Sequence, residues 1–285
     1  MKSRFTFLTA CICLCTFLFI ELPAQTVFQM SFSNGIYMCG KDVILSNGYY
    51  YIGGTAKTST ASDFLLIKTD NYGDTIRTLS FHANLPIEGK QILVRNGDVY
   101  LLGNCNPGTT LSKGFLAKIR DNGQVLWSRI YGGTGTFEFA NALFADDTSI
   151  AITGTHTGSG PGGKDILFAQ FDTAGIFISS RAYGAANEGG NSITGNREQG
   201  FYITGTTDNN DSQGDIFILN LDPNGMQAFC KTYNIVHSSS YSGQHGYSII
   251  RTNTRGARST GGHPRNTPVT SGERSQCWVQ HHRGT

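Results

Sequence analysis

The chain has 285 residues, 36 of them Gly, and carries 22 Lys+Arg against 20 Asp+Glu, so 15% is charged where a soluble domain averages about 25%. That composition excludes a coiled coil or helix bundle; the glycines have no three-residue period, which excludes collagen, and 39% apolar content argues against wholesale disorder. Many short strands joined by tight turns remain.

The first element is a leader. Lys2 and Arg4 precede an apolar run from Phe5 to Ile20, followed by Glu21-Leu22-Pro23-Ala24-Gln25. A basic start, an apolar middle and a small residue near the end predict a secretory signal peptide over residues 1–25. As a helix that run would reach about 24 Å, short of a hydrocarbon core of about 30 Å, so it reads as a cleaved leader. No other segment is long and apolar enough to span a membrane, and the expected address is secreted or outer cell surface. Cys39, Cys105, Cys230 and Cys277 remain after the leader, with no CxxC and no Cys/His spacing for a metal. Secretion permits a disulfide among them, and the spacing picks no pair.

Residues 26–250 form a repeat. Asp63-Phe-Leu-Leu-Ile-Lys68 returns as Asp165-Ile-Leu-Phe-Ala-Gln170 and Asp215-Ile-Phe-Ile-Leu-Asn220, with Lys113-Gly-Phe-Leu-Ala-Lys118 between. Five residues after each stands a turn glycine (Gly73, Gly123, Gly175, Gly225), and eight residues later an aromatic (Phe81, Tyr131, Tyr183, Tyr233), a series that Phe32 extends backwards. Gly54, Gly103, Gly154 and Gly205 make a third series. Three anchor series share one period of about 50 residues, the mark of a repeat architecture.

Each unit reads as four strands; in the third these are Val125–Tyr131, Ala140–Ala145, Ser149–Thr155 and Asp165–Asp172. Alternation puts Tyr50/Ile52, Val99/Leu101, Ile150/Ile152 and Phe201/Ile203 on one face of the third strand. The fourth strand is apolar on both faces, as suits a strand sandwiched between neighbouring sheets. Four-stranded units repeated radially predict an all-β fold, a β-propeller of four full units and a partial fifth, with a ring that need not close.

The pattern Asp-Ile-Leu-Phe-x-x-x-Asp-x-x-Gly, with Trp127-Ser-Arg-Ile-Tyr131-Gly-Gly and Ile150-Ala-Ile-Thr-Gly154-Thr, resembles SBBP-type β-propeller repeats. These occur in secreted and surface proteins of Gram-negative bacteria. The resemblance implies an architecture and an address and carries no chemistry. Tyr49-Tyr-Tyr-Ile-Gly-Gly54 is also similar to kelch blades, a weaker match because the other units lack the glycine pair.

The fifth unit starts with Phe229–Tyr233 and Gly246–Ile250 and then breaks off. Residues 251–285 contain no Ile, Leu, Phe, Tyr or Met and hold six Arg against Glu273 alone. Such a segment cannot offset its ordering entropy by burial, so a disordered Arg-rich tail is expected, either a natural basic tail for an anionic surface or, the favoured reading, the product of a frameshift or truncation. Its charge hides a net negative repeat region, which offers no basic patch to nucleic acid.

The chemistry-bearing motifs read as structure. Gly158–Lys164 matches a phosphate-loop spacing, but Asp165 and a strand follow where Ser or Thr and a helix are needed. Asp208–Asp215 is rich in oxygen ligands and fails the calcium-loop pattern. Asp146-Asp147 reads as a turn, and Asp63, Asp165 and Asp215 as structural repeat positions. No catalytic, cofactor-binding or metal-binding residue is assigned. The leading expectation is a non-enzymatic binding, adhesion or scaffold module that meets an extracellular glycan or protein through blade loops. Two alternatives stand beside it: a truncated fragment of a larger propeller without independent function, and a propeller enzyme acting on polysaccharide. Glu88, Glu138 and Glu188, one period apart, hint at the latter's ring of carboxylates.

Overall fold

The computed structural model describes residues 37–58, 61–82, 85–109, 112–132, 137–158, 163–196, 198–208, 214–233, 245–251, 257–262, 269–270 and 276–277. The leader and Phe32 lie outside them. Sheet I comprises β1 (Tyr37–Ser46), β2 (Tyr49–Lys57), β3 (Ser62–Thr69) and β4 (Thr75–Phe81). Sheet II holds β5 (Ile87–Arg95), β6 (Asp98–Cys105), β7 (Lys113–Arg120) and β8 (Val125–Tyr131). Sheet III holds β9 (Phe137–Ala145), β10 (Ser149–Thr157), β11 (Asp165–Asp172) and β12 (Phe177–Tyr183). Sheet IV holds β13 (Glu188–Asn196), β14 (Gly200–Thr207), β15 (Asp215–Leu221) and β16 (Gln227–Tyr233). A fifth sheet has only β17 (His245–Arg251) and β18 (Ala257–Gly262), and β19 (Val269–Thr270) pairs with β20 (Gln276–Cys277).

Every sheet is an antiparallel meander, and the first strands β1, β5, β9, β13 and β17 pack in succession near one axis while β4, β8, β12 and β16 form the exposed rim. The chain is thus an all-β propeller of four complete blades and a partial fifth. Among the described residues no comparable packing joins β17 or β18 to sheet I. Strand β18 falls within the expected disordered tail; there the backbone ladder with β17, from His245↔Gly262 to Arg251↔Ala257, supplies order that the composition does not foretell.

One expectation about the unit is corrected. Val125–Tyr131 does not share a sheet with Ser149–Thr157; as β8 it pairs with β7 of the preceding blade. The physical reason is the tight turn before it. Gly73, Gly123, Gly175 and Gly225 have φ of +92°, +88°, +75° and +75°, and each folds a rim strand back onto the buried strand just completed. In three of these turns the leading aspartate caps two amides, as Asp172 Oδ1 does for Ala174 N and Ile176 N. In the second, Arg120 holds that place and Asn122 caps Gln124 N instead.

The cores lie between blades. Phe64 and Leu66 meet Ile87, Ile92 and Leu101 between I and II; Leu102 and Leu116 meet Leu143 and Ile150 between II and III; Phe168 meets Phe201 and Leu219 between III and IV. The Val99/Leu101, Ile150/Ile152 and Phe201/Ile203 pairs are buried against the preceding blade, as alternation predicts. The third strand of each sheet is buried on both faces. Every innermost strand carries a β-bulge that sets aside one residue: Lys41, Lys90, Asn141, Asn191 and Tyr247. The bulge explains a glycine series. A Cβ on Gly54, Gly103, Gly154 or Gly205 would stand 2.1, 2.6, 1.9 or 1.8 Å from the carbonyl oxygen of Cys39, Glu88, Phe139 or Gly189, so the second strand passes the bulge only without a side chain.

Neighbouring blades are also stitched by hydrogen bonds from one inner strand to the next. Ile92 N donates to Asp42 Oδ2 (3.0 Å), Leu143 N to Gln91 Oε1 (2.6 Å) and Ile249 N to Ser192 Oγ (3.1 Å). Fully buried Asn104 adds a two-way bridge, donating to Ala140 O (3.0 Å) and accepting from Ala140 N (2.8 Å).

Candidate functional site

The bulged ends of the innermost strands bring the polar groups together. Lys90 Nζ lies 2.8 Å from Glu88 Oε1 and 4.3 Å over the Phe139 ring of the next blade, while Lys41 of blade I stands 3.9 Å from the same carboxylate oxygen. Asn141 donates to Gly190 O (2.8 Å) and Asn191 to Gly246 O (3.0 Å). A bulge residue on each of the first four blades therefore reaches forward to its neighbour, cationic at one side of the axis and amidic at the other.

Glu88, Glu138 and Glu188 all start innermost strands, as their spacing implies, but their surroundings differ. Glu88 is partly exposed between the two ammoniums. Glu138 sits opposite His156 in the β9–β10 ladder, and its side chain lies outside the described residues. Glu188 is buried and turned into its own loop, accepting from Ala185 N (3.2 Å), Ala186 N (3.1 Å) and Thr207 Oγ1 (3.1 Å). Its Oε2 and Asp165 Oδ1 converge over Gly184, 2.2 and 3.2 Å from the point a Cβ there would occupy. Glu188 also lines a cleft of about 210 Å³ between blades III and IV, with Tyr183, Phe217, Cys230 and Thr232. Burial raises the Cys230 thiol, and the Glu188 charge adds to it.

The remaining sequence candidates occupy structural places. Asp165 and Asp215 are fully buried at the starts of β11 and β15, and Asp63 takes Ser80 Oγ (2.9 Å) and His82 Nδ1 (2.8 Å). Asp146 caps the β9–β10 turn through Thr148 N and Ser149 N (both 2.8 Å), and Asp147 pairs with Arg95 Nε (2.9 Å) on blade II. The hydrogen bonds from Arg95 and Asn96 hold Asp147 below the usual carboxylate range. Of the phosphate-loop-like stretch, residues 159–162 lie outside the described ones; Lys164 O accepts Glu188 N (2.8 Å) and strand β11 follows. Of the acidic loop 208–215, residues 209–213 lie outside; Asp208 binds Asn187 through its backbone N–H and its amide, both 2.7 Å. Cys39, Cys105 and Cys230 are free thiols, and burial pushes Cys105 up to about 11. Sequence reasoning missed Lys41 and Lys90. Their spacing follows the repeat, but only the bulge shows that they flank Glu88.

The fold is similar to that of a subtype N10 neuraminidase-like protein of A/little yellow-shouldered bat/Guatemala/060/2010, at 13% identity over 74% of this chain and 68% of that one, with a TM-score of 0.50. It is also similar to a subtype N11 neuraminidase-like protein of A/flat-faced bat/Peru/033/2010 (13%, 75% and 62%, TM-score 0.47). A third is the GH43_1 enzyme from Xanthomonas citri complexed with xylose (13%, 77% and 80%, TM-score 0.45). The chain spans about two thirds or less of the neuraminidase-like proteins' length. No family model and no curated protein matches it. These likenesses bear on the propeller fold. The expectation of a non-enzymatic module is corrected only to this extent: the likeness at a TM-score of 0.50 is to a neuraminidase-like protein, so the propeller fold does not set catalysis aside.

Proposed function

We propose that this protein is a secreted or outer-surface propeller enzyme, of SBBP-type repeats, that acts on polysaccharide through carboxylates at the starts of its innermost strands. The observation that carries the reading is Glu88: a partly exposed carboxylate at the axial end, ion-paired with Lys41 and Lys90, at the repeat position that Glu138 holds on the adjacent blade. Glycosidic hydrolysis needs two carboxyl groups in different surroundings, one giving a proton to the leaving oxygen and one serving as base or nucleophile. Glu88, between two ammoniums, takes the base or nucleophile role, and the acid role is to be tested at Glu138, its equivalent one repeat period along the sequence. Glu188 and Asp165, buried and turned into the loop at Gly184, shape the site and do not meet substrate.

The test is release of reducing ends from a panel of neutral and acidic polysaccharides by the purified chain. Glu88→Gln and Glu138→Gln are each expected to lower kcat roughly 10²–10⁴-fold while the protein stays folded. Absence of hydrolysis across the panel, or full activity in both variants, would overturn the reading.

A further inference from the structure

Two repeat positions on each innermost strand face opposite ways. Ile92, Leu143, Ile193 and Ile249 face the preceding blade and are 0%, 3%, 7% and 3% exposed; Val43, at the same position on blade I, is 60% exposed. The next residue faces forward. Ile44, Leu93 and Phe144 pack against the following blade, whereas Ile250, their equivalent on β17, is 56% exposed. The array therefore ends in two unfilled halves of the interface it has already made between each pair of successive blades.

The hydrogen-bonding groups agree. Ile92, Leu143 and Ile249 donate their amides to a side chain on the preceding blade, while Val43 N turns to its own neighbour, Asp42 Oδ1, at 2.9 Å. Forward-reaching bulge residues culminate in Tyr247, 62% exposed. Beside Val43 the open surface continues through Leu45, 60% exposed, with Tyr50 and Ile52 only half-buried where their equivalents on the later blades are mostly buried. Farther from the axis Leu65 and Ile67 are buried, so the open part is the axial half of the face. The described part of blade V, β17 and β18, is likewise an axial half.

We infer that these two surfaces bind each other between copies: the β17 face of one chain, with Tyr247 and Ile250, docks on the Val43–Leu45 face of blade I of a second chain. The contact continues the interface that already joins blades I to V within the chain. Such a contact is heterologous, so it adds copies head to tail and ends in a closed ring or an open filament according to its rotation.

The experiment is light scattering of the full secreted chain over a wide concentration range. The expected result is a mass of two or more copies, lost in both Val43→Lys and Ile250→Lys. Both sites are exposed, so unchanged melting curves will show that the fold is kept. Each variant retains one good end. Mixed together, they should form a one-to-one pair that grows no further. A monomeric wild type, which is what closure within one chain would give, overturns the inference, as does failure of the mixed variants to pair.

Discussion

Lys68 and Asp121 sit on different blades, yet the Lys68 ammonium lies 2.6 and 2.7 Å from the two Asp121 oxygens, with the Tyr49 ring 4.1 Å away and the Tyr51 hydroxyl donating to the same carboxylate at 2.7 Å. Asp121 is available because Asn122 caps its turn. Burial is the largest single influence on each group and works against both charges. The hydrogen bonds and Coulomb attraction of Asp121 and Tyr51 together outweigh it and hold Lys68 above its ordinary 10.5. The hydrogen bonds of Lys68 and Tyr51, with the attraction of Lys68 and Arg77, together hold Asp121 below 3.8. The lysine's contribution is complete below 10.5 and is lost as pH rises through its raised value. The aspartate's is present above 3.8 and is lost as pH falls through its lowered value.

Lys68→Met should therefore cost about 1–2 kcal/mol at neutral pH, a modest figure because Asp121 is half exposed to screening water. The deficit should shrink in acid, as Asp121 protonates. Urea melts at neutral and acid pH check this; parallel pH curves for the two proteins would refute the assignment.

Gly154→Ala sets a Cβ against the Phe139 carbonyl in a bulge that cannot retreat, because the strand beyond it packs on the next blade. A loss of at least about 3 kcal/mol, or failure to fold, is expected. Gly40→Ala is the control: its Cβ would stand 3.7 Å from Ile52 Cγ2, an ordinary contact, and the melting temperature should hardly move.

Asn104→Ala removes both ends of the bridge to Ala140 and strands two buried backbone groups. About 2–4 kcal/mol should be lost. Hydrogen exchange at the Ala140 amide should rise more than at other β9 amides; uniform exchange would mean the bridge is not local.

The acceptor series Asp42, Gln91 and Ser192 is interrupted on blade III by Ala142, whose methyl cannot accept a bond from the next inner strand. Ala142→Ser restores the hydroxyl found at 192. A gain of about 0.5–1 kcal/mol in thermal stability is expected, and a loss would show that Ile193 N is not reachable from there.

Glu188→Gln separates structure from chemistry. It weakens bonds to the amides of Ala185 and Ala186 and should cost about 1–2 kcal/mol. Glu88→Gln breaks only partly exposed ion pairs and should cost under about 1 kcal/mol. Equal melting temperatures for the two variants would count against the distinction between the carboxylates.

The blade architecture was legible because its causes are local: a positive φ at Gly225, a buried run at Phe217–Leu219, a glycine at 205 passing a carbonyl. The grouping of strands into sheets was not, since a repeat read along the chain has no marked first strand, and only hydrogen bonding shows Val125–Tyr131 on β7. The site was half legible. Spacing pointed to Glu88, Glu138 and Glu188, but not to the different fates of Glu88 and Glu188, which depend on a bulge at Lys90 and on the path of the backbone at Ala185. Composition likewise missed β18, whose order comes from backbone pairing.

The offset between sequence unit and sheet bears on how such a molecule changes over generations. Since every rim strand is folded back by a glycine turn and every inner strand follows it, recombination between any two equivalent positions removes or inserts a whole number of periods. Wherever the break falls, the rejoined chain again reads inner, second, third, rim. Unequal crossing-over can thus alter the number of blades without orphaning a strand, which leaves the two end surfaces, and not the joints between blades, as the parts that selection must adjust.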